Sequence, residues 1–167
     1  MDKAANNALV KVVRDGQLMQ IHSKDVQVGD IVKCEKNDRF PADLIILSSS
    51  EPQGIAYIET SNIDGESNLK IRMSNPRTIH LDNVNAISTL RATIHCEQPN
   101  ERIYVFEGNM NNGKDCFSLD QTNILLRGAV LRNTRWIYGI VVYTGHESKI
   151  MMNANDTPNK STSMTRN

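Results

Sequence analysis

The chain has 167 residues, 39% of them hydrophobic, and its 19 basic residues balance 19 acidic ones. That length supports one domain with a real core, and the even balance argues against a general electrostatic attraction to nucleic acid or anionic lipid, which calls for a clustered positive field. No apolar stretch approaches the roughly 20 residues that cross a bilayer, and the N-terminus lacks the apolar core of a signal peptide.

Residues 1–7 are small and polar and are expected to be a linker. From Ala8 to Arg14 the pattern alternates, with Val10 and Val12 on one face. Asp15-Gly16 then turns the chain into Leu18-Met19-Gln20-Ile21, a strong hairpin signal. A strand follows over Asp30 to Cys34. The loop Asp38 to Asp43 contains Pro41 and leads into Leu44-Ile45-Ile46-Leu47, a continuous apolar run that predicts a strand buried on both faces. Gly54 to Ser61 is the next predicted strand. It ends at Asn62, beyond which two carboxylates, Asp64 and Glu66, flank Gly65.

After Lys70 the pattern loosens. Ile71 to Ile79 is irregular and broken by Asn75-Pro76. Near-helical spacing predicts a short helix over Asn83 to Ala92, and strands are expected at Thr93 to Cys96 and Arg102 to Phe106. The segment from Gly108 to Lys114 has turn composition. Two strand pieces, Ile124-Leu125-Leu126 and Ala129-Val130-Leu131, are split by Arg127-Gly128, which suggests a bulge or sharp bend. Trp136 to Tyr143 is a long strand, and Thr144 opens a last helix through Met152. Residues 154–167 are expected to be a second linker, leaving a domain over 8–153. Many short strands spaced by turn residues predict a mainly β fold, a sandwich or jelly-roll-like barrel with one or two short helices.

Few residues offer chemistry. Cys34, Cys96 and Cys116 are too scattered for a disulfide frame or zinc site and fit reduced, partly buried thiols in a cytosolic domain. His22, His80, His95 and His146 show no metal-ligand spacing. Asn155-Asp156-Thr157 fits a glycosylation sequon that is idle in such a compartment. No phosphate-binding glycine loop or nucleophile elbow occurs. Arg127, the Arg132 to Arg135 run and Lys70 to Arg72 could hold an anion, although blunted strand edges are the commoner meaning of such charges. His146 and Glu147 are adjacent and would not face each other on a helix.

That leaves the loop. Asp-Gly is ordinary turn chemistry, and Gly65 permits a tight backbone and close approach to a ligand. The loop has no positive charge before Lys70, so it could not hold a phosphate by itself. A carboxylate there would suit one task near a phosphoryl group: accepting a proton from an attacking water and orienting it.

The run from Phe40 to Ser50, the run from Tyr57 to Lys70, and the segments Val28 to Lys33, Leu125 to Thr134 and Val142 to Lys149 together closely resemble the actuator domain of the P4-type ATPases, the phospholipid flippases. The resemblance covers most of residues 8–153 and is weakest over 73–122. It implies a distorted jelly roll, akin to a double-stranded β-helix, lying in the cytosol as part of a multi-pass pump of the plasma, Golgi or endosomal membrane. By that resemblance Glu66 positions the water that hydrolyses the aspartyl phosphate of a separate phosphorylation domain. Gly65 gives backbone access and Asp64 shapes the turn. Ser67 stands where flippases usually carry Thr, as in the Thr-Gly-Glu-Ser loop of ion pumps, and its hydroxyl preserves the chemistry.

ATP and magnesium would bind in the full enzyme, outside this domain, and the isolated domain would be inactive. The implied partners are the phosphorylation and nucleotide-binding domains, a Cdc50-type accessory subunit, and a membrane phospholipid bound elsewhere. Two alternatives remain at this level: a stand-alone β-sandwich interaction or acidic metal-binding module, and the actuator domain of an ion pump.

Overall fold

The computed structural model describes residues 8–154. The expected linker at 1–7 and nearly all of the one at 154–167, sequon included, lie outside the described residues; Ala154 itself is the last residue of a helix. Strands β1 (Leu9–Arg14) and β2 (Gln17–His22) form the expected hairpin. Asp15 and Gly16 between them both have positive φ, at 53° and 75°, which is the two-residue turn whose twist matches the flanking strands.

A six-stranded antiparallel sheet forms the middle of the molecule. Its other strands are β3 (Ile31–Glu35), β4 (Asp43–Ser49), β10 (Ile124–Leu125) and β12 (Trp136–Tyr143), in the order β10-β4-β12-β3-β1-β2. The apolar run in β4 is buried on both faces because each face carries its own core. Leu44 and Ile46 pack with Val12, Phe40, Ile58 and Leu131 on one side. Ile45 and Leu47 pack with Ile87, Met110, Phe117 and Leu119 on the other. Each such side chain removed from water contributes on the order of 1.5–3 kcal/mol, so β4 is the chief anchor of the fold.

The first core is closed by a three-stranded sheet ordered β11-β5-β6, from β5 (Ile55–Glu59), β6 (Lys70–Met73) and β11 (Val130–Arg132). The second is closed by β7 (Thr93–Cys96), β8 (Glu107–Asn111) and β9 (Cys116–Asp120). The chain is thus mainly β, as expected, with the central sheet covered on both faces. Three short α-helices occur among the described residues: α1 (Ser61–Asp64), α2 (Val84–Ser88) and α3 (Lys149–Ala154).

Several elements differ from expectation. Residues 102–106, expected as a strand, form an irregular turn that serves to plug Phe106, 2% exposed, into the second core. Gly108 to Asn111, expected as a turn, lie in β8. Glycine is needed at 108 because a Cβ there would approach the His95 carbonyl oxygen to 2.9 Å; it marks close backbone approach within a sheet rather than a bend. Of the bulge or sharp bend expected at Arg127-Gly128, the structure has the bend, a β-turn with Gly128 at φ 93° and the Ala129 N–H donating to the Leu126 carbonyl at 3.1 Å. It carries the chain from the central sheet into the β11 sheet. The helix predicted over 83–92 is confined to Val84–Ser88, capped by Asn83 Oδ1 on the Ala86 N–H at 2.8 Å. The last helix is interrupted at Ser148, which is extended between a 3-10 turn (Gly145–Glu147) and α3.

Candidate functional site

Strands β5 and β6 are the arms of a hairpin, with Ile58 opposite Lys70, and the Asp64-Gly65-Glu66-Ser67 loop is its tip. The predicted strand does not run to Ser61. Thr60 instead starts a single helical turn, α1, its carbonyl accepting the N–H groups of Ile63 and Asp64 at 2.8 and 3.0 Å. Gly65 ends that turn at φ 77°, ψ 0°, donating to the Ser61 carbonyl at 2.9 Å, and this left-handed geometry favours glycine.

Asp64 is turned inward, its side chain 6% exposed. It accepts from Thr60 Oγ1 at 3.1 Å, from the Glu66 N–H at 3.0 Å, from Lys70 Nζ at 2.9 Å and from Tyr104 Oη at 3.2 Å. Burial alone would push its carboxyl up. The hydrogen bonds from Lys70, Glu66 and Thr60, together with the Lys70 charge, outweigh burial and bring it down to about 2. Glu66 is far more open: its side chain is 58% exposed, although it meets the same ammonium, Lys70 Nζ, at 2.7 Å. Ser67 is exposed beside it.

Other contacts fix the base of the loop. Asn62 Nδ2 donates to the Gly128 carbonyl at 2.6 Å, tying α1 to the β10–β11 turn. Ser61 Oγ and the Arg132 guanidinium both donate to Glu59, and these two contacts, the hydroxyl first, hold its carboxyl below the ordinary range.

Most of the basic residues considered as anion holders are committed elsewhere. Arg132 bridges Glu59 at 2.8 Å and Asn37 at 2.7 Å. Arg72 donates to the Ile124 carbonyl at 3.2 Å, with burial lowering the pKa of its guanidinium. Arg127 donates to the Gly145 carbonyl at 3.1 Å.

Arg135 is exposed; Lys70 is the one that serves the loop tip. It folds back into the loop and stands between the Asp64 and Glu66 carboxylates, where a metal ion shared by the two would have to stand. Among the described residues no group of three or more His, Cys, Asp or Glu is arranged to hold a metal. A buried carboxylate, an exposed carboxylate and one lysine offer no cradle for a nucleotide and its magnesium. The loop projects from the surface, and the depressions lined by His95, Cys96 and Glu107 and by Ser23, Pro41 and Arg127 include none of its residues. An exposed carboxylate at a hairpin tip is suited to reaching into a site that another surface supplies.

Sequence reasoning singled out Asp64, Gly65, Glu66 and Ser67, and the structure brings them together in one loop. It missed Tyr104, which lies 40 residues from Asp64 in the stretch with no motif. No local pattern signals that contact.

Residues 4–155 match the P-type ATPase actuator domain. The chain is 47% identical over 146 residues to "Probable phospholipid-transporting ATPase 4" of Arabidopsis thaliana, covering 87% of this chain and 12% of the relative. It is 41% identical over 165 residues to phospholipid-transporting ATPase DRS2 of Saccharomyces cerevisiae, covering 98% and 12%. Phospholipid-transporting ATPase tat-1 of Caenorhabditis elegans is 44% identical over 162 residues, covering 96% and 14%. The chain therefore spans only about an eighth of the length of these relatives. In fold it resembles the crystal structure of a zinc-transporting PIB-type ATPase in the E2.Pi state, with a TM-score of 0.52 at 15% identity over 89% of this chain and 16% of that one. With a match that runs from before β1 to beyond α3, this chain belongs to the P-type ATPase actuator domain family.

Proposed function

We propose that the chain is the actuator domain of a P4-type phospholipid-transporting ATPase and that Glu66 is its working carboxylate. The observation that carries this reading is the division of labour in the loop. Asp64 is buried and held by four donors, whereas Glu66, two residues on, is 58% exposed at the tip. The identity of 41–47% to phospholipid-transporting ATPases supports the lipid branch, and Ser67 keeps the hydroxyl of the flippase loop.

The reaction is hydrolysis of an aspartyl phosphate held by a separate phosphorylation domain. A water oxygen forms the new bond to phosphorus as the bond to the aspartyl oxygen breaks, and Glu66 orients that water and accepts its proton. Phosphoryl transfer of this kind depends on positioning and charge. A carboxylate delivered by docking of the whole domain therefore makes hydrolysis conditional on that docking. Residues 8–153 act as the rigid unit, joined through their flanking segments to membrane helices, so docking is coupled to lipid movement. ATP and magnesium belong to the other cytosolic domains. The phospholipid and a Cdc50-type subunit bind outside this chain, which lies on the cytosolic side of the membrane.

In the intact pump, Glu66→Gln is expected to let the phosphoenzyme form from ATP but to slow its breakdown at least 10-fold, measured by acid-quench labelling and chase. Breakdown at the wild-type rate overturns the assignment.

A further inference from the structure

The lysine that closes the loop is bound unequally to its two carboxylates. Lys70 Nζ lies 2.9 Å from Asp64 Oδ2 and 2.7 Å from Glu66 Oε1, and it stands 5.3 Å from the centre of the Tyr104 ring. Tyr104 Oη in turn donates to Asp64 at 3.2 Å. On the Asp64 side the contact is sheltered, because that side chain is 6% exposed. Withdrawing Lys70 would leave a desolvated carboxylate without its cation, which is strongly unfavourable. On the Glu66 side the carboxylate is 58% exposed, and an ion pair in such a setting is weak and screened by salt. Lys70 is therefore a fixed cation and Glu66 a releasable one of its two partners. The ring of Tyr104 adds a face for the ammonium, so residues 102–106, far away in sequence, help hold the charge in place.

We propose that Lys70 is a positioning residue for Glu66: anchored on the buried Asp64 carboxylate and the Tyr104 ring, it holds the Glu66 carboxylate at the loop tip and releases it when the loop docks. This rests on the reading of Glu66 given above. Without Lys70, Glu66 would sample many rotamers and be repelled by Asp64. The productive orientation would then have to be found after docking instead of before it, and misplacement of a reacting group by even an ångström is costly in rate.

Two measurements test the proposal. In the intact pump, Lys70→Met keeps the length of the side chain and removes its charge. It is expected to slow phosphoenzyme breakdown about 10-fold, less than Glu66→Gln does, and Lys70→Arg is expected to recover at least half of the wild-type rate. Wild-type breakdown in Lys70→Met alongside slow breakdown in Glu66→Gln overturns the positioning role and leaves the role of Glu66 standing. Wild-type breakdown in both overturns the reading of Glu66 as well.

The second measurement does not depend on how well Lys70→Met folds. The groups facing Lys70 are Asp64 from α1, Glu66 from the loop and Tyr104 from the turn before β8. The hydrogen bond to Glu66 and then that to Asp64 raise its ammonium pKa. In the 167-residue chain, Glu66→Gln is expected to shift the Lys70 titration, followed by the carbon chemical shift of its ε-methylene, to lower pH. An unchanged titration means that the pair does not persist in solution and overturns the proposal.

Discussion

Asp43 and Lys149 are joined by a hydrogen bond of 2.6 Å, from the backbone N–H that opens α3 to a carboxylate oxygen on the first residue of β4. The second oxygen of Asp43 accepts the Arg127 N–H at 2.8 Å, and the Gly128 carbonyl next along accepts from Asn62 of the loop helix. A run of backbone and side-chain contacts thus links the base of the Glu66 loop to the last helix. Asp43 is fully buried. Burial pushes its carboxyl up to about 6, against the opposing pull of the two N–H donors and of the Lys149 and Arg127 charges.

The sign of the resulting pH dependence follows from linkage. An unfolded Asp titrates near about 3.9, so between about pH 4 and pH 6 the folded state binds more protons than the unfolded one. The stability associated with Asp43 is present below that window and is lost as pH rises through it, by about 3 kcal/mol. Asp64, held at about 2, acts in the opposite sense: its contribution is present above about pH 4 and is lost as pH falls toward 2. Urea unfolding of the 167-residue chain and of Asp43→Asn, compared point by point, is expected to show the variant gaining on the wild type between pH 4 and 6.5. Parallel curves across that window would contradict the burial of an ionisable carboxyl at this position.

Lys149 also carries a buried charge. Its side chain is fully buried, and Nζ donates to Glu97 Oε2, whose side chain is 13% exposed, and to Asn100 Oδ1 at 2.8 Å. Without Lys149, Glu97 keeps only the Asn100 Nδ2 donor at 2.8 Å and the longer Arg102 contact at 3.8 Å. Lys149→Met is therefore expected to cost about 3–5 kcal/mol. Replacing both, as Lys149→Met with Glu97→Leu, is expected to recover most of that loss, because an apolar pair of similar volume has no charge to desolvate. Denaturant midpoints of the two single variants and the double variant supply the cycle.

The two carboxylates of the loop should differ sharply in their effect on stability. Asp64→Ala removes the acceptor of four donors and leaves Lys70 without its sheltered partner, with an expected loss of about 2–4 kcal/mol. Glu66→Ala removes one exposed ion pair, with an expected change below about 1 kcal/mol. Equal melting temperatures for the two variants would show that Asp64 is not the anchor of the loop.

Glycine substitutions separate backbone strain from crowding. Gly65 has φ 77° and open space where a Cβ would go, so Gly65→Ala is expected to cost only the left-handed penalty of about 1 kcal/mol. Gly54 has φ 68°, and a Cβ there would fall 1.8 Å from Ser74 Oγ and 3.1 Å from Ile79 Cγ2. Gly54→Ala is expected to cost clearly more, about 2–3 kcal/mol. Thermal or urea unfolding that reverses this order would refute the packing around Ser74.

Elements governed by local rules were legible. The β1–β2 hairpin followed from Asp15-Gly16, and the doubly buried β4 followed from four consecutive apolar residues. Elements governed by distant partners were not. Strand β6 carries Ile71 and Met73 exposed, at 53% and 39%, and owes its existence to pairing with β5 rather than to a pattern of its own. In β8 only Met110 reaches the core, too little to distinguish strand from turn in an asparagine- and glycine-rich stretch, whereas β9 does alternate, with Phe117 and Leu119 inward.

The same division runs through the loop. Sequence by itself determined its place at a strand end, the glycine between two carboxylates and the family resemblance, because these depend on neighbouring residues. Only the tertiary structure decided the setting of each carboxylate. Asp64 is buried because Tyr104 arrives from 40 residues away and Lys70 folds back from the opposite arm of the hairpin. Glu66 is exposed because Gly65 reverses the backbone in between. Two chemically similar side chains acquire opposite characters from desolvation and charge pairing, and both are set by packing that no local spacing encodes.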